Sequence, residues 1–218
     1  MKLIVFDLDG TLIDSRRSIL GSIEFALARV GLEHFEIDPE RAVQQDLAST
    51  IKQSAARGGY GISEDLIKRF ILEYREHHAR EPEATMKPFP FVADVLKALQ
   101  STYSLAVATT KHTEQAQHIL EKLELIQFFD AVQGTDPGMR YKPAPDILLA
   151  VLRRLNFSAS DALYIGDTIH DMTAAKAAGM RAVAVSFGYS RKEDLLTAEP
   201  HGWVHDLVEL KTPERLFA

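Results

Sequence analysis

Apolar positions follow two rhythms along this chain, and the change between them divides it. Leu3 to Phe6 is a short unbroken apolar run, the pattern of a strand buried on both faces in a parallel sheet, and it stops at two carboxylates, Asp7 and Asp9. Side chains alternate along an extended segment, so both acids are expected on one side, with Gly10 letting the chain turn immediately afterwards. From Ser15 the period becomes helical. Ile19, Leu20, Ile23, Leu27 and Val30 recur on one face before Gly31. Asp38-Pro39-Glu40 is a helix start, a capping acid followed by proline, and its segment closes at Gly58-Gly59. Ser63-Glu64-Asp65 opens a third helix carrying Leu66, Ile67, Phe70, Ile71 and Tyr74 before Pro82.

Beyond Pro88 the rhythm alternates. Helices are expected over 91–100, 114–125, 144–155 and 172–178, with Gly179 ending the last; strands are expected over 104–108, 129–133, 162–165 and 182–185. Such alternation predicts right-handed crossovers and helices on both faces of a parallel sheet. The expected class is therefore α/β, a Rossmann-like doubly wound parallel sheet core with an inserted all-helical domain. Residues 1–14 and 85–218 form the core and residues 15–84 the insertion, because nothing in that helical stretch supplies a sheet partner for Leu3 to Phe6. The tail from Glu193 reads as mixed helix and turn.

Composition narrows the function without changing this picture. The 218 residues suffice for a substantial core, and 46% hydrophobic with 26% charged residues is ordinary for a globular protein. Apolar runs fall short of a membrane span, and Lys2 leads straight to Asp7 with no small-residue cleavage pattern, so neither a membrane segment nor a secretory leader is expected. A net charge of −6 argues against nucleic acid as a partner. The absence of cysteine removes disulfides, thiolate zinc sites and cysteine nucleophiles, and fits a cytoplasmic location.

The candidate chemistry lies at the predicted strand ends. Asp7 and Asp9 follow the first strand, Thr109-Thr110-Lys111 the second; Tyr141-Lys142-Pro143 precedes a helix, and Gly166-Asp167-Thr168-Ile169-His170-Asp171 follows a further strand. Close carboxylates repel unless a cation or a shared proton intervenes, which points to a metal-assisted site at the carboxyl edge of the sheet. Carboxylates for a hard cation, with a lysine, hydroxyls and helix amino termini for anionic oxygens, suit a phosphoryl group held against magnesium.

Asp7-Leu8-Asp9-Gly10-Thr11, Thr109, Lys142-Pro143 and Gly166-Asp167 with Asp171 resemble, in order and separation, the four motifs of the haloacid dehalogenase-like phosphatase superfamily. The helical stretch lies where that superfamily inserts a helical cap domain. Lys142-Pro-Ala-Pro-Asp146 and Ala174-Ala-Lys-Ala-Ala-Gly179 look most like its phosphoglycolate phosphatase branch, although Thr110 and His112 differ from the Asn and Pro common there. The resemblance implies that Asp7 attacks phosphorus to give an aspartyl phosphate, later hydrolysed, and that Asp9 moves the proton as general acid and then base. Thr109 or Thr110, with Lys142, would hold phosphoryl oxygens. Mg2+ would bind Asp7, Asp167 and the Asp9 carbonyl, with Asp171 in or just behind that set, and the cap would close over the substrate.

The implied function is a magnesium-dependent phosphatase of small phosphorylated metabolites, acting as a monomer or homodimer. A phosphomutase resembling beta-phosphoglucomutase and a pyrophosphatase are the enzymatic alternatives; a phosphate- or metal-binding signalling module is the non-enzymatic one. A dehalogenase is disfavoured because its chemistry needs no cation-binding second aspartate. His170 is expected to face solvent or to pack. His77, His78 and Arg80 read as a basic cluster on a solvated helix face, and Gln44 and Gln45 as helix surface.

Overall fold

The computed structural model describes residues 1–43, 47–80 and 85–214, with no side-chain description at 79 and 80. Gln44, Gln45 and Pro82 lie outside the described residues, as does the side chain of Arg80. In chain order the elements are β1 (Leu3–Phe6), β2 (Ile13–Asp14), α1 (Arg16–Arg29), α2 (Pro39–Ala42), α3 (Leu47–Gly58), α4 (Glu64–Arg80), β3 (Lys87–Pro88), α5 (Val92–Leu99) and β4 (Ser104–Ala108). There follow α6 (Thr113–Lys122), β5 (Ala131–Gln133), α7 (Asp146–Leu155), β6 (Ala162–Gly166), α8 (Ile169–Ala177), β7 (Arg181–Val185), α9 (Lys192–Thr197) and β8 (Gly202–Val204). The chain divides into two units, Met1–Asp14 with Lys87–Ala218, and Ser15–Met86.

The first unit is a Rossmann-like α/β core built on a six-stranded parallel sheet in the order β5-β4-β1-β6-β7-β8. Strand β1 lies in the interior of the sheet and all four of its side chains are wholly buried, which is why its sequence is continuously apolar rather than alternating. The chain leaves β1 for β4 and β5 on one side, then returns to β6, β7 and β8 on the other. The reversal falls at β1, and a crevice outside the carboxyl ends is the natural binding place in such a sheet. Register sets those ends level: Phe6 pairs with Val107 of β4 and with Ile165 of β6.

Three features depart from the periodicity. The tail contributes β8, whose three residues pair in parallel with β7 but are too few to show a pattern. Strands β2 and β3 form a two-residue antiparallel ribbon, also below the reach of periodicity. Helix α8 begins at Ile169 rather than Met172, because Thr168 caps it: its hydroxyl accepts from the Asp171 backbone N–H at 3.2 Å, and the Asp171 carboxylate accepts from the Thr168 N–H at 2.9 Å.

In the second unit Asp38 caps α2 as expected, accepting from the backbone N–H groups of Glu40 and Arg41. Ile23 and Ala26 of α1, Ile51 of α3 and Ile67 and Phe70 of α4 are buried. The pair His77 and His78 is not a solvated cluster. His78 is 4% exposed, with its Nδ1 3.3 Å from the Ser18 hydroxyl and 3.2 Å from that of Ser22. His77 bonds Ser22 at 3.1 Å and stacks on Phe25, with ring centroids 4.1 Å apart. The apolar stripe of α4 faces the interior of this helical unit, and the imidazole at position 78 is carried in with it. No helix among the described residues is long and apolar enough to cross a membrane.

Candidate active site

Asp7 is the first residue past β1, its N–H donating to the Ile165 carbonyl at 2.8 Å, so the sheet ladder fixes its backbone beside the end of β6. The extended strand ends at Phe6, and the alternation that would align Asp9 with Asp7 ends with it: the Leu8 carbonyl accepts from Leu12 and Ile13, and Gly10 takes φ +78° to make that turn. The two carboxylates accordingly have different partners. Asp7 Oδ1 lies 2.7 Å from Lys142 Nζ, whereas Asp9 Oδ2 lies 3.0 Å from Lys111 Nζ.

Lys142, Asp167 and Asp171 converge with Asp7. Asp167 follows β6 directly and Asp171 lies in the first turn of α8, while Lys142 arrives on the loop before α7. One carboxylate oxygen from each of Asp7, Asp167 and Asp171 lies within 4.8 Å of the others. Lys142 Nζ donates to Asp7 Oδ1 and Asp171 Oδ1, each at 2.7 Å, and to the Tyr164 hydroxyl at 2.5 Å. Asp167 is wholly buried and accepts from the Tyr189 backbone N–H at 2.7 Å and the Thr11 hydroxyl at 3.4 Å. By sequence Asp171 could cap the helix as well as bind a cation; the cap is Thr168, and Asp171 sits three residues on as its reciprocal partner.

Burial dominates the electrostatics. It pushes the Asp7 carboxyl up to about 7, against the pull of the Lys142 ammonium and with further help from Asp171 and Asp9. Burial likewise drives Asp167 well above the usual carboxylate range, reinforced by Asp171 and Asp7. For Asp171 burial also acts upward, but the Lys142 ammonium and the hydrogen bonds from Thr168 override it and hold the group below its ordinary value. The Lys142 ammonium is held charged: burial disfavours it, and the Asp171 and Asp7 carboxylates outweigh that.

These residues fit a divalent cation. Three carboxylates face one ammonium, leaving two negative charges uncompensated when all are ionised, and hard carboxylate oxygens are the donors that Mg2+ and its relatives accept. Burial raises Asp7 and Asp167, and the neighbouring carboxylates of the same cluster add to that rise.

Of the two threonines after β4, Thr109 is 1% exposed and its Oγ1 accepts from the Lys111 N–H at 3.3 Å, whereas Thr110 is exposed. His170 is half-buried on α8. Lys111, which the sequence offers only as an ammonium beside Thr109, and four residues it does not single out complete the site. Lys111, 8% exposed at its side chain, pairs with Asp9. Asp136 binds the Thr113 N–H at 3.2 Å and its hydroxyl at 2.7 Å, tying the loop that carries Thr109 and Lys111 to the end of β5. Tyr189 and Gly188 close on Asp167, where a Cβ at Gly188 would fall 2.2 Å from the Asp167 Cβ. The fourth is Tyr164. Lys111 stands beside Thr109 and is legible as a cation near the site; the others carry no signal separable from ordinary core or loop residues.

Comparison with known proteins agrees with this arrangement. The profile of the family described as haloacid dehalogenase-like hydrolase matches residues 4–185. Phosphoglycolate phosphatase of Aquifex aeolicus is 32% identical over 96% of this chain and 96% of its own length. The enzyme of that name from Pseudomonas syringae pv. tomato is 32% identical over 96% of this chain and 78% of its own. A haloacid dehalogenase-like family protein of Streptococcus pneumoniae superposes with a TM-score of 0.88 at 28% identity, covering 98% of both chains.

Proposed function

This chain belongs to the haloacid dehalogenase-like hydrolase family and is a phosphatase, and from that premise we propose that it hydrolyses a small phosphorylated metabolite, of the phosphoglycolate kind, with Mg2+ and through a phosphorylated Asp7. The observation that carries the reading is the convergence of Asp7, Asp167 and Asp171 at the carboxyl edge of the parallel sheet, with Lys142 bonded to Asp7 and Asp171. The same reading takes residues 1–14 and 85–218 as the catalytic core and 15–84 as the cap.

In this mechanism an Asp7 carboxylate oxygen forms a bond to phosphorus while the bond from phosphorus to the alkoxide oxygen breaks. Asp9 gives its proton to that leaving oxygen, then takes one from the water whose oxygen attacks phosphorus; the phosphorus–Asp7 bond breaks and inorganic phosphate leaves. Lys111, already beside Asp9, keeps that carboxyl group directed. Lys142 and the inward hydroxyl of Thr109 hold the equatorial phosphoryl oxygens and offset the charge that grows on them. Asp7, Asp167 and the Asp9 carbonyl would hold Mg2+, with Asp171 beside them, and the bound ion supplies charge neutralisation between nucleophile and phosphoryl group.

The test is phosphate release across a panel of short phospho-acids, phosphosugars, nucleotides and pyrophosphate with and without Mg2+. Release of phosphate from 2-phosphoglycolate above the other monoesters, and only with a divalent ion, is the expected result. Accumulation of an isomerised sugar phosphate would make it a mutase instead, and binding without turnover a sensor.

A further inference from the structure

Tyr164 takes no part in the chemistry just described, yet its hydroxyl touches the catalytic lysine. The residue lies on β6 opposite Val5 of β1 and Ala182 of β7 and is wholly buried. Its ring is held by the core, where Met172, Ala174 and Ala175 are also packed. Its hydroxyl accepts from Lys142 Nζ at 2.5 Å and has two acceptors for its own proton, the Ala108 carbonyl at 3.1 Å and Asp171 Oδ1 at 3.0 Å.

A lysine ammonium is a point charge on a flexible stem with three donors that rotate freely, so its position and the direction of each N–H must be imposed from outside. Here all three donors are assigned, to Asp7, Asp171 and Tyr164. Two of those acceptors are rigid. Asp171 is pinned through its second oxygen by the Thr168 N–H at 2.9 Å and hydroxyl at 2.6 Å, and Tyr164 by its ring and by Ala108. With two N–H groups committed to fixed atoms, tetrahedral geometry aims the third at Asp7, where the incoming phosphoryl group must arrive. Ala108 immediately precedes Thr109, so the same hydroxyl also ties the strand that presents the second phosphoryl ligand.

We infer that Tyr164 is a positioning residue, whose hydroxyl fixes the direction in which Lys142 offers its proton to the transferring phosphoryl group. The inference rests on the phosphatase reading above. Were the phenol only a core filler, its single hydrogen bond to Ala108 would satisfy it and its loss would register in stability alone.

Tyr164→Phe keeps the ring and deletes the oxygen. With p-nitrophenyl phosphate and Mg2+ its kcat is expected to fall about tenfold while KM stays within about twofold, since misdirection weakens a contact made chiefly in the transition state. In a Lys142→Met background the same substitution should change the residual kcat by less than about twofold, because it acts through that lysine. An unchanged kcat in Tyr164→Phe, or an equal loss in both backgrounds, overturns the inference. If the phenylalanine variant does not fold, 3-fluorotyrosine at position 164 retunes the hydroxyl without altering packing; a changed kcat at constant melting temperature supports the inference and an identical kcat sinks it. Failure of the unaltered protein to release phosphate would instead strike the phosphatase reading, and this inference with it.

Discussion

Two groups of buried polar side chains, one in each unit of the chain, are balanced in opposite ways. Between α1 and α4, His78 shares its ring nitrogen with the hydroxyls of Ser18 and Ser22, hydrogen-bonding groups that can satisfy one another. At the end of β1, three clustered carboxylates, two of them bonded to Lys142, share that single ammonium and leave unbalanced negative charge. Both bury polarity, and among the described residues no buried side-chain polar atom lacks a partner. The first arrangement needs nothing more. The second is costly for the fold by itself, because removing ions from water takes several kcal/mol per ion unless other charges compensate. That cost and the raised carboxyls single the cluster out as the candidate site.

The hardest blow to this contrast is Asp7→Asn. Turnover should drop by more than about 10⁴-fold, since no other group can form the bond, while melting temperature holds or rises as one buried charge is relieved. Substantial residual turnover would remove Asp7 from the role of nucleophile. The second expectation concerns pH. In metal-free protein the folded state retains a proton on Asp7 up to about pH 7, whereas the unfolded chain releases it near the ordinary value of 3.8. The folded state binds more protons across that window, so this contribution to stability is full below about pH 4 and is lost as pH rises to 7, by about 4 kcal/mol at most for a three-unit shift. Asp167 adds in the same direction. Urea unfolding in EDTA at several pH values should show the decline, and Asp7→Asn should flatten it; parallel curves for the two proteins would contradict the assignment.

Asp167→Ala comes next. It should raise the Mg2+ concentration for half-maximal rate by more than about 100-fold, beyond the 10–100-fold typical of groups behind the ligands, and an unchanged titration would clear Asp167 of a metal role. The smallest effect belongs to the helical unit's cluster. His78→Phe should cost roughly 1–3 kcal/mol in unfolding free energy by stranding the Ser18 hydroxyl, while Ser22 keeps His77, with kcat of the folded variant within about twofold. A large kcat change at unaltered stability would show that the cluster in the helical unit is not merely structural.

What the sequence makes legible follows the same division. Strands β1, β4, β6 and β7 stand out as apolar runs because both faces of the sheet are covered. Asp7, Lys142, Asp167 and Asp171 stand out because charged residues clustered at the ends of such runs seldom serve packing. Strand β8 does not, since Gly202–Val204 makes sense only as an addition to the edge of β7. Tyr164 reads as one more apolar position; its function depends on where the loop before α7 delivers Lys142. His78 escapes the pattern because periodicity places a residue on a face but does not say that serines wait opposite.

The position of β1 within the sheet also bears on how the protein is made. Leu3–Phe6 leaves the ribosome before both of its neighbours in the sheet, since β4 ends at Ala108 and β6 at Gly166. At roughly 5–20 residues per second, about 8–30 s pass before β6 exists to pair with it, a long interval for a wholly apolar strand to have one edge open. The contiguous helices of residues 15–86 are complete well before then. Synthesis therefore presents Asp7 and Asp167 as early and late pieces of one assembly, and slowing translation between them should increase the yield lost to aggregation.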